Sequence, residues 1–342
     1  FKQKTAYEIM PSLVGSEMCI RDRDSNPSGG RSPPVSVAAT TPGQASVGII
    51  ANPRAARDVR RLVSGATSVP VSERCAIIQR VMSGLGTLGI GQVVMMYDRD
   101  GIAARLERAI ERQTSGSENS WPKLSFLDMS VRGTPSDTLT ATRLMYESDV
   151  GALVVLGGDG THRLVAHECG QTPLVCLSTG TNNAFPQFPE ATLAGLASGA
   201  VAGGLVIPDD VCLTNKRLCV GVNGRAEIPA LVDVCVTTET HTGTRALWRP
   251  EALRELYLAF AEPGSIGLSS IGSLLSPTSR NEDAGLAIQL GEPTVTARSL
   301  SAPIAPGLIR PVGIAHCRKI QLGERCSLTT SAGTLSLIHI SE

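Results

Sequence analysis

The run Gly151-Ala152-Leu153-Val154-Val155-Leu156-Gly157-Gly158-Asp159-Gly160-Thr161 narrows the choice of folds more than any other stretch of the chain. Its Val- and Leu-rich part has the length of a buried parallel strand and is far too short to cross a membrane as a helix. Without a spacer it meets three glycines set around a single aspartate. Glycine tolerates positive φ and lets a ligand approach the backbone, so the loop can aim several N–H groups at an anion. Thr161 suits the N-cap of a helix over 162–169, closed by Gly170. Strand, glycine loop and helix N-terminus together form a phosphate-binding geometry. Asp159 needs explaining, because a carboxylate beside phosphates is unfavourable unless it holds a metal or takes a proton. The other reading of these residues is a tight strand-to-helix turn that Asp159 merely caps.

The surrounding sequence alternates strand and helix patterns. Strands are expected at 47–51, 92–97, 124–129 and 173–177, besides the one entering the glycine loop. Ser72 is the expected cap of a helix to about 86, and Asp100 opens another whose Ile102, Leu106, Ala109 and Ile110 share a face. Thr134-Pro135 reads as an N-cap followed by proline at the first helical position, with Asp137 three residues after the cap. Such alternation implies a parallel sheet covered by helices on both faces. Ligands of such sheets bind beyond the carboxyl ends of the strands. Three loops would converge there: Asn52-Pro53-Arg54, the glycine loop, and Ser178-Thr179-Gly180-Thr181-Asn182-Asn183. Arg57, Arg60 and Arg61 add cations after the first strand, or form a solvated helix face; the Gly180–Asn183 stretch is a ligand loop or a plain Gly/Asn turn.

Beyond about residue 201 the texture becomes turn-rich, with strands expected at 216–221 and 230–237. An amphipathic helix is expected at 250–260, its Leu253, Leu256, Tyr257 and Phe260 forming a core-facing stripe. The expected organisation is an α/β nucleotide-binding domain at 46–200 and a β-rich domain at 201–335 that closes over the crevice. Residues 1–23 and 336–342 resemble translated sequencing-adapter read-through and are left out of the fold, and 24–45 read as a Ser-, Pro-, Gly- and Thr-rich flexible leader. On that reading the β-rich domain lacks its last strands.

The 31 Lys and Arg residues balance 31 Asp and Glu, so bulk charge suggests neither a nucleic-acid nor a membrane-surface partner. Aromatics are 3% of the chain, too few for a base-stacking platform. Nine dispersed cysteines without a C-x-x-C read as reduced thiols of a cytoplasmic protein. A small-molecule substrate and a homo-oligomer are expected, with no membrane span. No serine elbow, H-E-x-x-H, Walker A, or G-x-G-x-x-G with a downstream ribose acid is present. Phosphoryl transfer needs little covalent chemistry: a held triphosphate, Mg²⁺ and donors to neutralise it, and an oriented acceptor hydroxyl. Asp159 could take that hydroxyl's proton or hold the metal, provided its carboxyl faces a cleft. His162 and His167 read as ordinary polar helix residues, with a phosphate contact open to His162.

Gly157-Gly158-Asp159-Gly160-Thr161 resembles the signature of the NAD kinase and diacylglycerol kinase superfamily. With Val154 to Arg163, Leu177 to Asn183, Ala261-Glu262-Pro263-Gly264 and Ala305-Pro306-Gly307, the chain is similar to the ATP-NAD kinase-like family of acetoin-catabolism protein X. That resemblance implies a parallel-sheet α/β ATP-binding domain plus a β-sandwich-like domain, ATP with Mg²⁺, and Asp159 as the catalytic aspartate. By the same likeness Asn52, Arg54, Gly157, Gly158, Gly160, Thr161, Thr179, Gly180, Thr181, Asn182, Asn183 and Asp233 bind nucleotide or acceptor. The chain departs from the family at several places. NAD kinases carry Asn-Glu where Val232-Asp233 stand, lipid kinases a glutamate where Leu164 stands, and the first loop holds Ala55-Ala56 in place of a small residue and glycine. The Gly-Asn-Asp-Phe run of lipid kinases is here Asn182-Asn183-Ala184-Phe185. The reading is therefore an alcohol phosphotransferase with NAD as leading acceptor; a lipid or sphingoid kinase and a non-catalytic nucleotide-binding regulator are the alternatives.

Overall fold

A computed structural model describes residues 17–21, 44–53, 69–113, 121–180, 183–186, 190–221, 228–238, 249–292, 296, 298–328 and 334–336. In chain order the elements are β1 (Glu17–Arg21), β2 (Ser46–Ala51), α1 (Val71–Thr87), β3 (Gln92–Met95), α2 (Ile102–Gln113), β4 (Lys123–Phe126), α3 (Pro135–Glu147), β5 (Ala152–Gly157), α4 (Asp159–Glu168), β6 (Leu174–Ser178), α5 (Ala191–Ala202) and α6 (Pro208–Val211). There follow β7 (Arg217–Gly221), β8 (Ile228–Ala230), β9 (Asp233–Thr237), β10 (Leu253–Leu258), α7 (Ser269–Leu275), β11 (Ala284–Gly291), β12 (Arg298–Ala305), β13 (Leu308–Gln321), β14 (Arg325–Ser327) and β15 (Thr334–Ser336). None of these helices is long and apolar enough to cross a membrane.

The first half is the expected α/β layer structure, an all-parallel sheet in the order β4-β3-β2-β5-β6. Every residue of β5 is buried because helices cover both of its faces. Ala152, Val154 and Leu156 meet the side chains of α1 and α5, while Leu153 and Val155 meet Ala141 and Met145 of α3 and Val165 of α4. The Thr134 capping box is present, and the Asp137 carboxylate also accepts the amides of Arg132 and Gly133. The helix expected at Asp100 starts at Ile102, because Asp98 accepts the amides of Asp100, Ile102 and Ala103. Helix α5 had no sequence expectation. It is rich in Ala and Gly, and it lies so close to α1 that a Cβ at Gly195 would sit 2.2 Å from the Val81 carbonyl oxygen.

The second half holds two antiparallel sheets, β14-β1-β7-β8 and β12-β13-β11-β10-β9-β15. Leu218, Val220, Val234, Val236, Tyr257 and Ile320 share one core, and Leu256, Leu258, Ile271, Ile288 and Val312 share a second. Two expectations are corrected here. The helix expected at 250–260 is a 3-10 turn, Pro250–Ala252, followed by strand β10 between β9 and β11. β10 reads Leu-Arg-Glu-Leu-Tyr-Leu with Glu255 buried among its neighbours, so apolar and polar residues do not alternate and its Leu and Tyr residues also satisfy a helical spacing. Glu17–Arg21, left outside the fold by the sequence reading, pairs with β7 and β14, and Ser336 belongs to β15.

Gly195→Ala is expected to cost about 1–3 kcal/mol by forcing α1 and α5 apart, seen as a lower urea midpoint with an unchanged slope.

Candidate functional site

The chain runs from β2 outward to β3 and β4, then returns across β2 to add β5 and β6. The loops leaving β2 and β5 therefore part in opposite directions and open a crevice at the carboxyl ends of those strands. The three expected loops meet there. Asn52 donates its backbone amide to Leu156 O at 3.0 Å and its side-chain amide to Thr161 Oγ1 at 3.0 Å. Thr179 donates its amide to Gly157 O at 3.0 Å. The Arg74 guanidinium donates to the carbonyl of Pro53, bracing the first loop from α1. Arg54, Ala55, Ala56, Arg57, Arg60, Arg61, Thr181 and Asn182 lie outside the described residues.

Helix α4 starts three residues earlier than expected, with Gly158 at the N-cap in place of Thr161. Gly158 is extended (φ −93°, ψ −178°), and the His162 amide already bonds to its carbonyl at 3.1 Å. Positive φ is not what the glycines supply, since Gly157, Gly158 and Gly160 are absent from the positive-φ residues. Gly157 is needed for close approach: a Cβ there would lie 2.4 Å from Cβ of Thr161. Gly180 has a similar reason, as its Cβ would lie 2.5 Å from Asn183 Oδ1. Asn183 in turn donates to Ser178 Oγ at 2.6 Å, so the loop after β6 folds back on its own strand.

That fold-back brings Ala184 and Phe185 over Asp159. Asp159 is 3% exposed. Its Oδ1 accepts from the Phe185 amide at 2.9 Å, and its Oδ2 accepts from the Ala184 amide at 3.0 Å. The expectation of a carboxyl open to an incoming alcohol is corrected: this carboxylate is inside, answered by backbone donors. The desolvation of a buried carboxylate requires such donors. His162 is likewise interior, 0% exposed, with Nδ1 2.7 Å from Gly158 O and its ring 6.0 Å from that of Phe185. Burial pushes its imidazole down to about 4, against the pull of its hydrogen bonds to the backbone at Gly158 and Val155. A neutral interior ring is not the phosphate contact left open for it. His167 is exposed beside Glu168.

Asp233 is buried at the first residue of β9, in register with Leu258, and its neighbour Val232 shares a core with Phe185. Thr179 Oγ1 is buried without a partner among the described residues. The described residues hold no cluster of three or more His, Cys, Asp or Glu fit for a metal on its own. Mg²⁺ carried with a nucleotide takes most of its ligands from phosphates and water, and Asp159, the carboxylate in the first turn of α4, could add one only if the Ala184–Phe185 segment left its oxygens.

Sequence reasoning missed the groups on the far side of the Ala184–Phe185 segment. Arg280 donates Nη1 to Phe185 O at 2.9 Å and Nη2 to Ala184 O at 3.3 Å. The same guanidinium bonds Glu262 through Nε at 3.1 Å and Nη2 at 2.9 Å, and lies over the Phe260 ring at 4.5 Å. Burial pushes the Glu262 carboxyl up, yet the hydrogen bonds from Arg280 outweigh it and hold the group below its ordinary range. The buried Lys216 ammonium donates to the carbonyls of Ser279, Glu282 and Ala284, tying down the turn that carries Arg280. Its burial lowers it to about 8 despite nearby Glu282, Asp283 and Glu262. Glu262 lies in the Ala261–Gly264 run that carries part of the family resemblance, whereas Arg280 sits in a polar turn with no pattern to mark it.

His162 gives a pH test. Above pH 6.5 it is neutral whether folded or unfolded. Between pH 6.5 and about 4 the unfolded chain binds a proton that the folded chain refuses, so stability is lost as pH falls. The loss should approach something on the order of 3 kcal/mol near pH 4, and His162→Gln should flatten that part of the stability–pH curve in urea titrations.

Residues 47–205 match the model of the ATP-NAD kinase N-terminal domain, and residues 216–337 match that of the acetoin catabolism protein X C-terminal domain. The chain is 42% identical to acetoin catabolism protein X of Cupriavidus necator over 295 residues, 85% of this chain and 82% of that protein. No solved structure matches it. The likeness spans both halves of the fold, and the chain belongs to the ATP-NAD kinase-like family of acetoin catabolism protein X.

Proposed function

We propose that this chain is a cytoplasmic ATP- and Mg²⁺-dependent phosphotransferase acting on an alcohol, with the ribose of NAD as acceptor. The observation that carries this reading is the junction at the switch point, where Asn52 beyond β2 bonds Thr161 in the first turn of α4. It brings two loop ends and a helix N-terminus to one crevice, and first-turn amides lack intrahelical partners in any α-helix. Residues 46–200 would hold the nucleotide and 201–335 would close over it. The backbone from Gly157 to Thr161 would take the phosphates. Asn52, Arg54, Thr179, Gly180, Thr181, Asn182 and Asn183 would surround the nucleotide, and Asp233 the acceptor ribose. ATP supplies the phosphoryl group, and Mg²⁺ neutralises the charge on it.

Asp159 would accept the acceptor's proton. A carboxylate has about four lone-pair sites, and the Ala184 and Phe185 amides already occupy most of them. Catalysis by Asp159 therefore requires that segment to shift. The same burial favours a second reading, a nucleotide-binding regulator without turnover; the name of the Cupriavidus necator relative would then associate it with acetoin catabolism. Leu164 and the missing acid at Ala184 weigh against a lipid acceptor.

Calorimetry with Mg·ATP and with NAD, followed by an NADP-coupled assay, separates the two readings. NADP formation supports the phosphotransferase, whereas tight binding of Mg·ATP without product supports the regulator. In the first case Asp159→Asn should lower turnover by roughly 10²–10⁴ while Mg·ATP affinity is largely kept. A fully active variant would remove Asp159 from the mechanism. The substitution should also cost about 1–3 kcal/mol of stability in urea, because its amide nitrogen would face the Ala184 N–H as donor against donor.

A further inference from the structure

We propose that Arg280 is the positioning residue for Asp159: from the second half of the chain it holds the Ala184–Phe185 backbone across the carboxylate and so sets whether Asp159 can be reached. The inference deepens the phosphotransfer reading, on which it rests for what a reachable Asp159 would do. The latch itself stands on geometry alone.

The peptide group joining Ala184 to Phe185 is gripped at both ends. Its N–H points at Asp159 Oδ1 at 2.9 Å, and its carbonyl oxygen accepts from Arg280 Nη2 at 3.3 Å. An anion at the positive end and a cation at the negative end both favour the same dipole orientation, and each bond polarises the other. Each of the two flanking peptide groups adds a bond of the same kind at one end, the Ala184 N–H to Asp159 and the Phe185 carbonyl from Arg280. Asp159 and Arg280 thus act on one short segment from opposite sides without touching through their own side chains.

Arg280 is held as a positioning group must be. Glu262 takes its Nε and Nη2, the Phe260 ring lies beneath it, and the Phe185 ring lies 5.8 Å away. The planar fork makes four bonds at once, one to each carbonyl and two to the Glu262 carboxylate, whereas a lysine ammonium has three donors and no fork. Lys216, just before β7, anchors the turn behind Arg280 through three carbonyls, so the latch is fixed to the second half's sheet. Movement of that half away from the α/β layers would draw Arg280, and with it the segment, off Asp159.

The full chain is used for the test, with Arg280→Met, Arg280→Lys and Glu262→Gln. Carbodiimide-driven amine coupling, read by mass spectrometry, reports access to the Asp159 carboxyl; amide hydrogen exchange reports the Ala184 and Phe185 N–H groups. Arg280→Met should raise both by about tenfold or more, since hydrogen bonds to charged groups are of that worth, while α1 and α5 keep their protection. Glu262→Gln and Arg280→Lys should give smaller changes in the same direction, and they supply the reading if Arg280→Met loses protection everywhere. Unfolding constants for Asp159→Asn, Arg280→Met and the double variant should be non-additive by about fivefold or more, as for residues sharing one network. Unchanged Asp159 coupling and unchanged Ala184 and Phe185 exchange in all three variants, or additive unfolding, would overturn the latch. None of these readouts needs turnover, so a failed NADP assay leaves them interpretable.

Discussion

A carboxylate taken out of water must be answered by donors, and much of this structure is arranged around answering Asp159. The acid sits in the first turn of α4, directly beyond the most buried strand of the sheet, where solvent does not reach. Its donors come from the segment after β6, which must fold back to provide them. Once folded back, that segment places Phe185 in the core shared by Leu218, Val232 and Phe260 of the second half. The requirement of one buried charge thus becomes a joint between the parallel sheet and the antiparallel ones. Arg280 completes it by neutralising the carbonyl side of the segment.

How much of this was legible follows from the range of the forces involved. β5 and its loop were legible because a strand covered on both faces is continuously apolar and ends abruptly in glycine. The Thr134-Pro135 cap was legible because capping is decided within four residues. β10 was misread because it carries Arg254 and Glu255 side by side, one of them buried, and so lacks the alternation that separates strand from helix. α5 escaped notice because an Ala- and Gly-rich helix has no polar face to give it a period. At α2, Asp98 and Asp100 are equally good capping residues on paper, and only the turn geometry chose Asp98.

The candidate site divides along the same line. The convergence of the loops after β2, β5 and β6 could be inferred from alternation alone, since the right-handed crossover rule leaves few other topologies. The burial of Asp159 could not, because its donors lie 25 and 26 residues further along the chain. Arg280 lies 95 residues beyond Phe185, in a turn whose composition resembles many others. Contacts of that span leave no local signature.

The glycines themselves bear differently on function now than they did in the bare sequence. Three glycines around an acid suggested a backbone cleared for phosphate, yet Gly157 has a packing reason that would hold with no ligand at all. A side chain there would drive Thr161 away from β5, and the Thr161 hydroxyl is what Asn52 binds across the switch point. The glycine therefore acts first on the crevice's architecture: it brings the start of α4 close enough to β5 for the loop after β2 to be tied to it. The proposed phosphate binding would depend on amides placed by that tie. This is why the Asn52–Thr161 bond, more than the number of glycines, is the firmer ground for reading a nucleotide site here.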